Sequence, residues 1–151
     1  MKAVKRWRYY CDYCGKVGGH KWHMEKHERG CVYNPNRLCG MCRYNYTGYQ
    51  GDYGEMLLYA QTPLNKLLKL LIEFTVNHAD AYYEFFMPSQ NQKEKLNTVL
   101  ERLRSAANGC PACMLAAMVQ SKTTYWFDGL FDYKKEKQMF WERNNEKRRA
   151  L

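Results

Sequence analysis

Apolar residues recur with a helical period through the second half of the chain. In "TPLNKLLKLLIEFTVN", Leu64, Leu67, Leu68, Leu71, Phe74 and Thr75 fall on one face, because residues three and four apart are neighbours on an α-helix. Thr62 is the expected cap, with Pro63 at the first helical position, where its missing N–H costs nothing. "NHAD" is rich in side chains that bond locally to backbone, so a break is expected near Asn77, with Pro88 as the final stop. "SQNQKEKLNTVLERLRSAANG" carries a second stripe, Leu96, Val99, Leu100 and Leu103. Ser89 or Asn91 can cap it, and Gly109 ends it. A third helix begins in "CPACMLAAMVQSK". "TTYWFDGLFDY" reads as an aromatic connector with a turn at Asp128-Gly129. The last helix, "YKKEKQMFWERNNEKRRAL", has Met139, Phe140 and Trp141 as its expected apolar contacts.

The first sixty residues lack this period. Residues 1–8 are a basic lead. Residues 32–61 are rich in Tyr, Asn and Gly, with Pro35, which argues for turns and loop. The expected fold class is therefore mainly α: a small α+β module over residues 1–31, then a helical domain over residues 32–151.

Composition supports a buried core, since 46% of residues are hydrophobic and 15% aromatic. No apolar run approaches the ~18 residues that a membrane span needs. The N-terminal "MKAVKRWRYYC" has no apolar segment of the secretory kind, so an intracellular location and no membrane partner are expected. Seven cysteines in a reducing compartment then point away from structural disulfides. Six of them form C-x-x-C pairs, Cys11/Cys14, Cys39/Cys42 and Cys110/Cys113, and Cys31 stands alone. Such pairs with spaced histidine point to zinc.

"CDYCGKVGGHKWHMEKHERGC" offers three cysteines and three histidines for four positions. Pairing Cys11/Cys14 with His23/His27 leaves too little chain for a β-hairpin followed by a helix. Pairing them with His27 and Cys31 leaves enough, and puts the last two ligands at i, i+4 on one helix face. The expected set is Cys11, Cys14, His27 and Cys31.

This segment resembles the ββα zinc finger in its variant with cysteine as the last ligand. Tyr9 stands two before the first cysteine, where such fingers carry an aromatic, and Met24 three before the histidine, where they carry leucine. The internal aromatic expected near residue 18 is replaced by Gly18. A module this small depends on its metal, which contributes ~10–16 kcal/mol in such peptides. The resemblance also implies that His20, Trp22, His23 and Lys26 occupy the helix positions that face nucleic acid. Lys21 and Arg29 flank them.

The remaining cysteines complete a second set, Cys39, Cys42, Cys110 and Cys113. "LCGMC" places Gly40 in a tight turn, and "GCPACM" places the second pair at a helix start, where the dipole favours thiolate charge. The arrangement resembles a treble clef in its ligands only. Four protein ligands leave no open position, so both zinc ions are expected to be structural. A redox role for "CPAC" lacks the strand-first context.

The formal charge is +9, concentrated in residues 1–50 and 110–151. Thiolates and two zinc ions lower it but leave it positive, which favours an acidic partner, nucleic acid first. Arg43, beside Tyr44, Tyr46, Tyr49 and Tyr53, could add stacking contacts. No catalytic motif is present. His78 lies on the helical pattern near Glu73, Asp80 and Glu84, not in a hairpin between metal pairs as a zinc-supported nuclease would need. The expectation is a non-catalytic, accessory or regulatory nucleic-acid-associated protein. The alternatives are a zinc-stabilised protein-interaction module, of a kind suited to phage-type host modulation, and last a metal-dependent nuclease.

Overall fold

The computed structural model describes residues 1–45, 61–77 and 90–150. His78, Asp80 and Glu84 lie outside them, as do Tyr46, Tyr49 and Tyr53. The order is β1 (Tyr9–Tyr10), β2 (Val17–Gly18), α1 (Lys21–Gly30), a 3-10 turn (Cys42–Asn45), α2 (Leu64–Asn77), α3 (Gln90–Ala106), α4 (Pro111–Gln120), a second 3-10 turn (Thr124–Phe127) and α5 (Tyr133–Arg149). The described chain is mainly helical. None of its helices is long and apolar enough to cross a membrane.

β1 and β2 pair antiparallel, Tyr9 with Gly18 and Tyr10 with Val17, and α1 packs on the hairpin. The core beneath is small: Cys11, Met24 and Cys31, with Tyr9 against them. The larger core belongs to α2–α5. There α4 is apolar nearly all round, which suits a central helix, and its neighbours are α2, α3 and α5. Leu67, Leu71 and Phe74 of α2 and Leu96, Leu100 and Leu103 of α3 are buried against it.

Three local expectations need adjusting. Pro63 precedes α2 by one residue, and the Thr62 hydroxyl lies 3.4 Å from Cys42 Sγ and 3.5 Å from the Ala107 carbonyl oxygen. Thr62 is thus turned towards the second cysteine group. On α5 the buried residues are Glu136, Phe140 and Asn144, spaced four apart, while Met139 is 54% exposed. Phe140 and Trp141 do join the core. Gly40 sits in its turn without a left-handed φ, so the turn does not demand glycine. The left-handed positions include Gly15, Asn108, Gly109 and Gly129. Asn108 and Gly109 close α3 by a bond from the Gly109 N–H to the Arg104 carbonyl, 2.8 Å, the pattern of a Schellman end.

Candidate metal centres

The first group is built by a hairpin and a helix end. After β1 the chain turns through Cys11–Lys16. The Gly15 N–H donates to the Cys11 carbonyl and the Cys11 N–H to the Lys16 carbonyl, both 2.9 Å. Gly15 has φ +70°, which a side chain would strain. This turn brings Cys14 back towards Cys11. α1 then supplies His27, and Cys31 follows at its C-cap, where the backbone has left the helix. His27 Nε2 is 3.2 Å from Cys14 Sγ. Glu28 ties the two pieces together, because its carboxylate accepts from the Asp12 N–H at 2.8 Å. Met24 explains the missing aromatic: its terminal methyl lies 3.0 Å from where a Cβ on Gly18 would stand. The flexible thioether fills the small core from the helix side.

The second group joins distant segments. Cys39 comes from the turn before the first 3-10 segment and Cys42 opens that segment, while Cys110 caps α4 with Cys113 one turn on. Cys39 and Cys110 sulfurs are 3.6 Å apart, Cys42 and Cys113 sulfurs 3.3 Å. The Gln61 side-chain amide grips the Cys39 backbone, accepting from its N–H at 2.7 Å and donating to its carbonyl at 3.2 Å. That amide fixes the turn that Gly40 does not. Arg37 donates to the Ala112 carbonyl at 3.2 Å and lies 3.7 Å from Cys113 Sγ.

In each group all four ligand atoms lie within 4.8 Å of one another. Tetrahedral coordination with metal–sulfur bonds of ~2.3 Å puts neighbouring donors ~3.5–3.8 Å apart. The sulfur separations are far too long for disulfide bonds. Each group could therefore hold one metal ion. Three thiolates with an imidazole, and four thiolates, are soft donor sets of the kind that take a tetrahedral ion.

Electrostatics favour the same conclusion. At the first group, the hydrogen bond with His27 and the Lys16 backbone hold the Cys14 thiol down at about 7. Burial pushes Cys31 up. At the second, hydrogen bonds from Cys110 and Cys113 draw the Cys39 and Cys42 thiols down. Cys110 is pushed up by its bonding to Cys113, Cys39 and Cys42 and by burial. The bond with Cys110 lowers Cys113, but Cys39, Cys42 and burial more than offset this. Four thiolates packed in a buried space repel one another, and a cation removes that conflict.

The contact candidates divide into two sets. His20 caps α1, and Lys21, Trp22, His23, Lys26 and Arg29 all stand exposed on it. Lys21 pairs with Glu25 at 3.8 Å. Lys26 Nζ is 5.2 Å from the Trp22 ring centre, and His23 meets the same indole edge-on at 4.9 Å. Arg43 belongs to another cluster. It stacks on Tyr44, 4.6 Å from the ring centre, and Tyr44 meets Trp141 of α5 edge-on. Sequence reasoning missed Arg37, Gln61 and Thr62 around the second group. No local pattern marks them, since their partners lie 20 to 76 residues away.

No family model, curated protein or solved structure matches the chain.

Proposed function

We propose that this is a zinc protein that binds nucleic acid without acting on it. Cys11, Cys14, His27 and Cys31 hold one zinc ion in a ββα finger, and Cys39, Cys42, Cys110 and Cys113 hold another that clasps the turn at residues 39–42 onto α4. Thiolate and imidazole donors in tetrahedral sets suit zinc, and four protein ligands leave no position for an activated water. Both ions then serve the fold, and the protein has an accessory or regulatory role.

The observation that carries the nucleic-acid reading is the division of α1 into two faces. Met24, His27 and Cys31 point to the hairpin and ligand cluster. His20, Lys21, Trp22, His23, Lys26 and Arg29 are left to solvent, and Lys2, Lys5, Arg6 and Arg8 of the N-terminal lead are exposed as well. Basic side chains displace counterions from phosphate, so binding weakens steeply with salt.

Fluorescence anisotropy with labelled single-stranded and duplex oligonucleotides tests this. The zinc-loaded protein should bind with micromolar or better affinity at low salt, with a log–log slope of several phosphates. Lys21→Glu with Lys26→Glu should abolish binding and leave two zinc ions in place. Absence of binding to either oligonucleotide at low salt would overturn the reading.

A further inference from the structure

One stripe of α1 faces a wall. Trp22, Lys26, Arg29 and Gly30 follow one another at helical spacing. Across from them stand Leu38 and Gly40, held there by the Leu38 N–H donating to the Arg29 carbonyl at 2.8 Å and by Arg37 donating to the Gly30 carbonyl at 3.3 Å. With Glu25 these residues line an open groove of about 390 Å³. Its far side is backbone at Gly40, where a Cβ would meet nothing within 4 Å.

The groove combines three properties seldom left together on a surface. Trp22 is 63% exposed, an unusual position for the largest apolar side chain. Lys26 and Arg29 add two cations, and the one acid on the rim, Glu25, is paired with Lys21. The indole is flanked by Lys26, whose Nζ lies 5.2 Å from the ring centre, and by His23, which meets it edge-on at 4.9 Å. An aromatic platform beside cations is the arrangement on which bases stack while phosphates are neutralised.

We propose that this groove binds single-stranded nucleic acid, one base stacking on Trp22 and the adjoining phosphates meeting Lys26 and Arg29. The proposal rests on the reading of α1 as a nucleic-acid surface and narrows it to one class of ligand. Two arguments favour a single strand over a paired duplex. Bases in a duplex have both faces covered, and uncovering one costs a few kcal/mol. A major groove ~12 Å wide is filled by one helix of ~10–12 Å, whereas α1 carries residues 38–40 along its C-terminal half. A single strand has open base faces and a backbone that can follow the groove.

The test uses the full zinc-loaded protein with a mixed-sequence 12-mer as single-stranded DNA, as single-stranded RNA and as duplex DNA. At least one single strand should bind about tenfold or more tightly than the duplex, and should quench tryptophan fluorescence. Trp22→Ala should weaken single-strand binding about tenfold, Trp22→Phe much less, and neither should change zinc content. Gly40→Leu, which fills the groove without altering charge, should weaken the single strand and spare any residual duplex binding. Equal or tighter duplex binding, or an unchanged affinity in Trp22→Ala, would overturn the groove while leaving the broader nucleic-acid reading intact. Failure of every oligonucleotide to bind would overturn both.

Discussion

The Arg37 guanidinium donates to the carbonyl of Gly30 at 3.3 Å while lying 3.7 Å from the sulfur of Cys113. Gly30 ends α1 one residue before a ligand of the first group, and Cys113 belongs to the second. One side chain therefore spans both candidate centres. The connection around it is equally tied. Asn34 donates from its side chain to the Glu28 carbonyl at 2.8 Å, and Gln120 donates to the carbonyls of Val32 and Asn34 at 2.8 and 3.1 Å. Residues 32–38 act as a strut, not a loose linker.

Arg37→Met should show what the strut contributes. It keeps the apolar stem, removes a positive charge from beside a thiolate cluster and leaves the Gly30 carbonyl short of a donor, whereas the Ala112 carbonyl lies within α4 and keeps its place in the helical ladder. An unsatisfied group of this kind costs ~1–3 kcal/mol when buried. Thermal unfolding should shift down accordingly, and a chelator should strip the second zinc faster. Arg37→Lys should restore part of both. Unchanged melting and unchanged zinc release in Arg37→Met would show that the guanidinium is incidental.

The two centres should lose metal in order. Cys14 is exposed and His27 half-buried, whereas all four sulfurs of the second group are buried. Every ligand must be deprotonated to bind, so metal is lost as pH falls. Native mass spectrometry across a chelator or acid titration should show two ions, then one, then none, with the first group emptied first. Cys31→Ser should start at one ion. It should abolish structure over residues 9–31 only, because the small core of Cys11, Met24 and Cys31 cannot hold without metal. Near-native α2–α5 helicity in that variant is expected from circular dichroism. Global unfolding of Cys31→Ser would show that the larger core does not stand alone.

What could be read from the chain, and what could not, has a physical pattern. Features that repeat within one or two helical turns were legible: the Leu67–Leu71–Phe74 stripe, the i, i+4 ligands His27 and Cys31, the helix start at Cys110. The eight candidate ligands come together in the two expected groups, because cysteine spacing is stringent and little else explains it. Features whose logic lies across the fold were not legible. Glu136 carries no local sign of burial, because its partner Arg104 stands on α3, 32 residues away. Met139 read as core because it adjoins Phe140 and Trp141, although a 100° step per residue carries it outward. Gln61 carries no signal that it will clamp Cys39.

Glu136 gives the clearest mutational test of the helical part. Its carboxylate takes both Nε and Nη2 of Arg104, joining α3 to α5, and only 8% of its side chain is exposed. Removing one partner of a buried pair costs ~3–5 kcal/mol in full burial. The Arg104 side chain is 24% exposed, so water recovers part of that loss. Glu136→Ala should therefore destabilise by about 2 kcal/mol in urea unfolding, and Glu136→Gln, which keeps one acceptor, by less. A change under about 0.5 kcal/mol would place the pair among ornamental surface contacts.

The end of α3 offers a comparison between two glycines. Gly109 and Gly129 have similar positive φ, +65° and +75°. Alanine at either position adopts a left-handed conformation that costs ~1–2 kcal/mol. Their surroundings differ. A Cβ on Gly129 meets nothing within 4 Å, while one on Gly109 lands on the guanidinium of Arg143. That guanidinium donates to the Asn108 carbonyl at 2.6 Å, so moving it also unfastens α5 from the end of α3. Gly109 precedes Cys110, so the same displacement reaches a ligand of the second group. Gly129→Ala should cost about 1 kcal/mol and leave zinc binding unchanged. Gly109→Ala should cost about 1 kcal/mol more, and should loosen the second zinc in a chelator competition. Equal losses in the two variants would mean that Arg143 swings aside freely and that the α3–α5 junction carries no strain to Cys110.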